Sequence, residues 1–334
     1  MTKFTDAAGN EWLSEYNLAG ELVKEIDPEG VETVYTYDMR GNLISEETEG
    51  VAARYEYDRA GNLTKKINPD DIETKYTYDS NNNLKSETAN GVTLSYSYDC
   101  LNRVIEIRRE GDLVKSFGYD SVGNKISETD ALGNMTRYIR SKAGDIITAI
   151  DALGNETHYT YDRCHRLMSI DQGEGRVTTY SRDAVGNITS ITDPLGNVET
   201  YKYNRRGEII EKIDRDGNAT KIARNNYGDV ARIKYADSTE VEYSYDALRR
   251  LKEVRDSLGR TLIERDKLGR ETKISDHKER TVFYEYDKLG NRTGITYPNG
   301  KKVAYEFDRA GKTTKVISDD LEAVISYDEF GRRS

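Results

Sequence analysis

Tyr35-Thr36-Tyr37-Asp38-Met39-Arg40-Gly41-Asn42-Leu43 returns as Tyr55 to Leu63 and again as Tyr76 to Leu84. Its aspartate position falls at 17 (Asn), 38, 58, 79, 99, 120, 141 (Ser), 162, 183, 204 (Asn), 225 (Asn), 246, 266, 287, 308 and 328. Every interval is 20 or 21 residues, so sixteen copies fill the 334-residue chain. A period this short predicts one repeat array over 1–334, entered and left mid-repeat. Each unit is too small to bury a core alone, and function belongs to the assembled surface.

Two turn signals punctuate each unit. The first is the Asp-x-x-Gly of the quoted phrase, as in Asp38–Gly41, Asp58–Gly61, Asp120–Gly123 and Asp287–Gly290. The second lies half a repeat later, as in Asp193-Pro194-Leu195-Gly196. Both suit a type I turn: Asp at the first position bonds the backbone beyond it, and Gly takes the left-handed conformation that closes a bulged hairpin. Of 27 Gly, 12 occupy the first turn and 12 the second, and all four Pro sit at the second position of the second turn, where their fixed φ fits. Asn82, Asn102 and His165 replace the turn glycine with tolerated types. Arg249, Asp237 and Glu279 fit that position less well, which predicts local variation there.

The segment before each first turn alternates. Thr33, Tyr35 and Tyr37 face one way, Val34 and Thr36 the other, as strands require. The same slots hold Tyr55 and Tyr57, Tyr76 and Tyr78, Tyr96 and Tyr98, Tyr159 and Tyr161, Tyr201 and Tyr203, Tyr243 and Tyr245, and Tyr284 and Tyr286. After the turn, apolar residues such as Ile188 and Ile191 are three apart, which breaks strand parity and predicts a bulge in some copies. The chain is therefore all-β: tandem hairpins of ~21 residues forming one continuous antiparallel strip of about thirty-two strands. Strand twist curves such a strip into a partial hollow shell. Tyr recurring in nearly every unit reads as scaffold, a cross-repeat ladder with each phenol partnered. The other reading is a stacking surface for sugar or unfolded peptide.

The chemistry is sparse. A net charge of -10 with both signs interspersed disfavours nucleic acid. Three His and two Cys (Cys100 and Cys164, expected as free thiols) lack zinc spacing, and Asp214-Arg215-Asp216-Gly217-Asn218 lacks the rest of a calcium loop. The acid pairs Asp70-Asp71 and Asp319-Asp320 lie in turns, and His158, His165 and His277 form no nucleophile–base set by spacing. No catalysis, cofactor or metal is expected. No apolar run reaches the ~20 residues of a membrane span, and the first residues lack a secretory signal.

The repeated phrase resembles the Tyr-Asp repeat of the Rhs family, shared by toxin-complex shell proteins, polymorphic toxins, wall-associated proteins and teneurins. The likeness runs from Asp6 to Gly331. It implies a β-strip that spirals into a cocoon, secreted or at the cell surface, enclosing a toxin polypeptide; in teneurins the shell serves cell-surface recognition. It also implies a terminal Pro-x(4)-Asp-Pro-x-Gly-Leu cleavage motif. Here the nearest string, Asp193 to Asn197, has Asn for Leu and no Pro five residues upstream. The expectation is a non-catalytic shell segment whose partners are the enclosed polypeptide or the rest of the shell. The alternative is an adhesion or carbohydrate-recognition module. Exposed strand edges also predict self-association unless charges such as Arg332 and Arg333 blunt them.

Overall fold

The computed structural model describes residues 1–319, 321–327 and 333, so Asp320, Asp328, Gly331 and Arg332 lie outside the described residues. Thirty-two strands belong to one antiparallel sheet, and no helix occurs among the described residues. The chain divides into two compact units, Met1–Thr93 with Tyr243–Ser334, and Leu94–Glu242.

In the first unit β3 (Leu22–Ile26), β4 (Glu32–Tyr37), β5 (Leu43–Thr48) and β6 (Val51–Tyr57) show the pattern. Across β4 and β5, Thr33 stands opposite Thr48, Tyr35 opposite Glu46, and Tyr37 opposite Leu43, with the register slipping between Thr36 and Tyr37. The extra residue on β5 re-aims the strand, so Leu43 joins the Tyr face despite its odd spacing. The same slip occurs in all fourteen first-turn hairpins whose pairing is described, not only in some copies.

The strip is a single layer. Only Val31, Thr148, Gly294 and Ile295 are buried among the described residues. The accessible surface of 21279 Å² compares with about 14,000 Å² for a compact chain of this mass. Stability therefore comes from ladder hydrogen bonds and one half-covered face, with no filled core. In the second unit, β16 (Glu156–Tyr161) alternates exposed and half-buried residue by residue, with Tyr159 and Tyr161 on the half-buried face and His158 on the other.

The turns depart from the expectation in two ways. Between β5 and β6 the loop is two residues, Glu49 and Gly50, both at positive φ (51° and 78°). Asn90-Gly91 (49°, 74°) and Glu110-Gly111 (51°, 91°) do the same. These three second turns have the type I′ signature rather than type I, because a two-residue hairpin needs a turn that matches strand twist. Arg249 and Glu279, expected to vary, hold the ordinary left-handed conformation at φ 63° and 60°. At 235–238 the left-handed residue is Ser238 (φ 70°), one place beyond Asp237.

Within the first unit the two chain segments meet along their turns. Lys267 Nζ donates to the Pro28 carbonyl at 3.2 Å, and Lys288 Nζ to both oxygens of Glu49 at 3.1 Å. Ala310 N–H donates to Asp70 Oδ1 at 3.0 Å, and Lys312 Nζ lies 3.1 Å from Asp70 Oδ2. These contacts join residues 239 to 242 apart, and successive contacts step forward by one repeat on each side. First turns thus seat against second turns, about half a repeat out of phase.

Candidate functional site: the turn edges and the tyrosine face

Asp38 shows how each turn is held. Gly41 N–H donates to the Asp38 carbonyl (3.1 Å), and Asp38 N–H donates to the Asn42 carbonyl (2.9 Å), a type I turn closed by a bulge. The carboxylate then fills the loop: Oδ1 accepts from the N–H of Arg40 and Asn42 (2.8 and 3.0 Å), and Oδ2 from Asn42 Nδ2 (2.9 Å). The Asx contacts recur at Asp58, Asp120 and Asp193, and Gly61, Gly123, Gly196 and Gly290 each donate N–H to the carbonyl of their turn's aspartate. Where Arg replaces the Asn, its Nε takes over, as from Arg280 to Asp276 (2.7 Å). These bonds favour the ionised form, so the Asp38 carboxyl is held below its ordinary range, chiefly by Asn42. The Asp276 carboxyl, chiefly through Arg280, is lowered to about 2. Asp214 makes the same turn, spending its oxygens on Asp216 N, Asn218 N and Asn218 Nδ2.

The second tyrosine of most phrases has a task its sequence pattern does not show. Tyr161 stands opposite Leu167 in β17 (Leu167–Asp171), yet its hydroxyl donates backwards to the Ile146 carbonyl at 2.9 Å. Ile146 opens β15 (Ile146–Ile150), whose ladder with β16 stops at Thr148 opposite His158. The phenol therefore satisfies a carbonyl that the diverging ladder leaves open and ties three strands together. Tyr37, Tyr78, Tyr119, Tyr203 and Tyr286 make the same bond fifteen residues back, at 2.7–3.0 Å. Partial burial pushes the phenol pKa of Tyr161 and Tyr203 up. Arg140, Arg182 and Arg224 occupy the same slot and reach the equivalent carbonyls at 2.9, 3.2 and 3.4 Å.

This exchange makes a prediction. Tyr161→Phe should lose about 1 kcal/mol of local stability, because the Ile146 carbonyl loses its donor, while Tyr161→Arg should recover most of it. Native-state hydrogen exchange at the amides of β15–β17 measures both. Equal losses in the two variants would refute the carbonyl-capping role.

All sixteen tyrosines from Tyr35 to Tyr286 named from the sequence are half-buried, and the residue between each pair is exposed. The clefts are shallow. One of about 320 Å³ lies in the first unit between Val31, Thr48, Leu268 and Leu289. Another of about 370 Å³ is lined by Tyr286, Arg292, Tyr305 and Phe307. His165 pairs with Asp145 (2.7 Å) and His158 with the Thr148 hydroxyl (3.2 Å). Cys100 and Cys164 are exposed free thiols. Among the described residues no three His, Cys, Asp or Glu gather as metal ligands would, and no helix is long and apolar enough to cross a membrane.

The Teneurin YD-shell family profile matches residues 46–193 and 197–321, and the RHS Repeat profile matches 16–50. No curated protein matches in sequence. Among solved structures, the Tc holotoxin pore of Photorhabdus luminescens is similar over 98% of this chain and 22% of its own, with TM-score 0.60 and 14% identity. A TcdB2–TccC3 crystal structure lacking the hypervariable C-terminal region is similar over 98% of this chain and 20% of its own, with TM-score 0.62 and 16% identity. At this identity the likeness is one of fold, and the chain spans about a fifth of each of those structures.

Proposed function

Because the chain belongs to the Teneurin YD-shell family, we propose that it is a stretch of shell wall, a non-catalytic scaffold that helps enclose a toxin-class polypeptide. The observation that carries this reading is the single-layer sheet. Its Tyr face is stitched by hydrogen bonds along its length but is only half-covered, and nearly no residue is buried. A wall of this kind is stiff without being filled, which suits it to surround something. Its partners are then the enclosed polypeptide and the remaining wall, and its setting is outside the producing cell or at its surface. The single array over 1–334 belongs to the same proposal. The adhesion alternative, with tyrosines as sugar-stacking platforms, carries less. The second-slot hydroxyls of Tyr37, Tyr78, Tyr119, Tyr161, Tyr203 and Tyr286 are spent on backbone carbonyls, and both slots are half-covered.

Protease protection tests it. The natural protein containing this chain is digested, and fragments of the polypeptide encoded with it are followed by mass spectrometry. Cleavage slowed at least about tenfold relative to the isolated polypeptide is expected, since only openings of the wall would admit the protease. Equal rates would sink the enclosing role. A glycan that protects the Tyr face from exchange would favour the alternative.

A further inference from the structure

The two turn edges of the strip differ in charge. At the two central positions of the first turns, from Leu18 to Ala310, nine residues are Lys or Arg and none is Asp or Glu. The charged tips of the second turns are mostly acidic, at Glu29, Glu49, Asp70, Glu110, Glu174, Asp216, Asp237 and Asp319, with Arg215 and Lys278 as basic exceptions. In the first unit these opposite edges already meet: Lys288 bonds Glu49, Lys312 pairs with Asp70, and Leu268 and Leu289 line a cleft with Val31, which is 6% exposed.

Away from those contacts, many turn tips among the described residues are exposed. In the second unit the second turns present Leu132, Leu153 and Leu195 at 88%, 88% and 87% exposure. First turns present Leu18, Met39, Val122 and Val185 at 81% or more, against 41% for the seated Leu289. Apolar tips this exposed, recurring at whole multiples of the repeat along one edge, are interaction sites rather than scattered surface residues.

We propose that the second-turn edge around Leu132, Leu153 and Leu195 docks the first-turn edge of a second copy of this chain. The contact would extend between molecules the edge pairing already made within the first unit. It joins two different surfaces, so it is heterologous and leaves a free edge of each kind after every addition. It uses side chains at the turns and is separate from backbone pairing between the terminal strands. It also goes beyond the shell proposal: a wall could enclose cargo as a monomer, so protease protection and this association can fail independently.

Sedimentation velocity over a wide range of chain concentration tests it. The wild type should associate in proportion to concentration, and added salt should weaken the association because exposed charges at the interface are screened. A triple variant, Leu132→Lys, Leu153→Lys and Leu195→Lys, should weaken it at least about tenfold by removing the anchors and repelling the basic edge. A second variant, Leu18→Glu, Met39→Glu, Val122→Glu and Val185→Glu, should do the same from the other side. Each should remain monomeric alone, with an unchanged circular dichroism spectrum and thermal transition. Mixed, they should form a one-to-one dimer through the one intact edge of each. A wild type that stays monomeric throughout overturns the proposal. So does association untouched by both variants, which would place it at the strand edges, and so does a mixture that yields no dimer.

Discussion

Acidification from about pH 4 towards pH 2 unfolds the strip far more steeply than the loss of any one ion pair could. The cause is the repeated turn carboxylate. Asp38, Asp58, Asp79 and Asp120 are each held below the ordinary carboxyl range by the side chain of the Asn four residues on, and Asp276 is brought down to about 2 chiefly by Arg280. A carboxyl whose folded pKa lies below its unfolded value of about 3.9 contributes stability that is fully present above that value. The contribution is lost as pH falls through the folded pKa, because the unfolded chain binds the proton more readily. Here the window opens near pH 4 and extends to about 2, the value of Asp276. Each protonation removes an acceptor from backbone N–H groups within a turn, and neighbouring hairpins share their strands, so the losses compound. Circular dichroism against pH, with urea midpoints at each step, measures the effect. A stability that stays flat from pH 4 to pH 2 would contradict it, and Asp276→Asn should remove part of the dependence.

Gly259→Ala is the second severe change. Gly259 sits at φ +137°, a conformation that L side chains rarely adopt, and a Cβ there would lie 2.6 Å from His277 Cβ and 3.7 Å from His277 Cα. The obstacle is fixed to the backbone of the neighbouring turn, so no rotamer relieves it. Backbone strain and overpacking together should cost about 2–4 kcal/mol. Gly196 is the control: its φ is +85° with nothing within 4 Å of an added Cβ, so Gly196→Ala should cost only about 1 kcal/mol. Asn should be tolerated at 196, where left-handed φ suffices, and not at 259. Urea denaturation followed by circular dichroism compares them, and equal losses at the two sites would show that His277 yields.

The residue pattern was enough to read the unit. Pro28, Pro69, Pro194 and Pro298 each follow the residue whose carbonyl accepts the turn's closing bond, as a fixed φ at that position predicts. The three-residue step from Ile188 to Ile191 did signal a bulge, because side-chain parity is a local property of the chain. What stayed hidden depends on neighbours outside the repeat. Tyr161 looks like any strand tyrosine until its hydroxyl is seen to donate to the Ile146 carbonyl, fifteen residues earlier. Arg140 gives a signal in retrospect: a long donor replacing Tyr in the second slot means that the slot needs a donor more than a ring. The pairing of Lys267 with Pro28 was beyond reach, since period and patterning carry no measure of curvature. The charge difference between the two turn edges was present in the sequence, but it has meaning only once alternate turns are known to line opposite sides of the strip.

The bulged hairpins have a mechanical consequence. Consecutive strands are joined by tight turns, so a tension along the chain peels the sheet from its end and loads its hydrogen bonds a few at a time. It does not shear a whole ladder at once. Such a strip should yield at low and nearly constant force, one hairpin after another. The lysine contacts to Pro28, Glu49 and Asp70 then act as clasps between segments 239 to 242 residues apart. A wall built this way resists pressure spread over its surface yet can be unravelled by a pull on one thread.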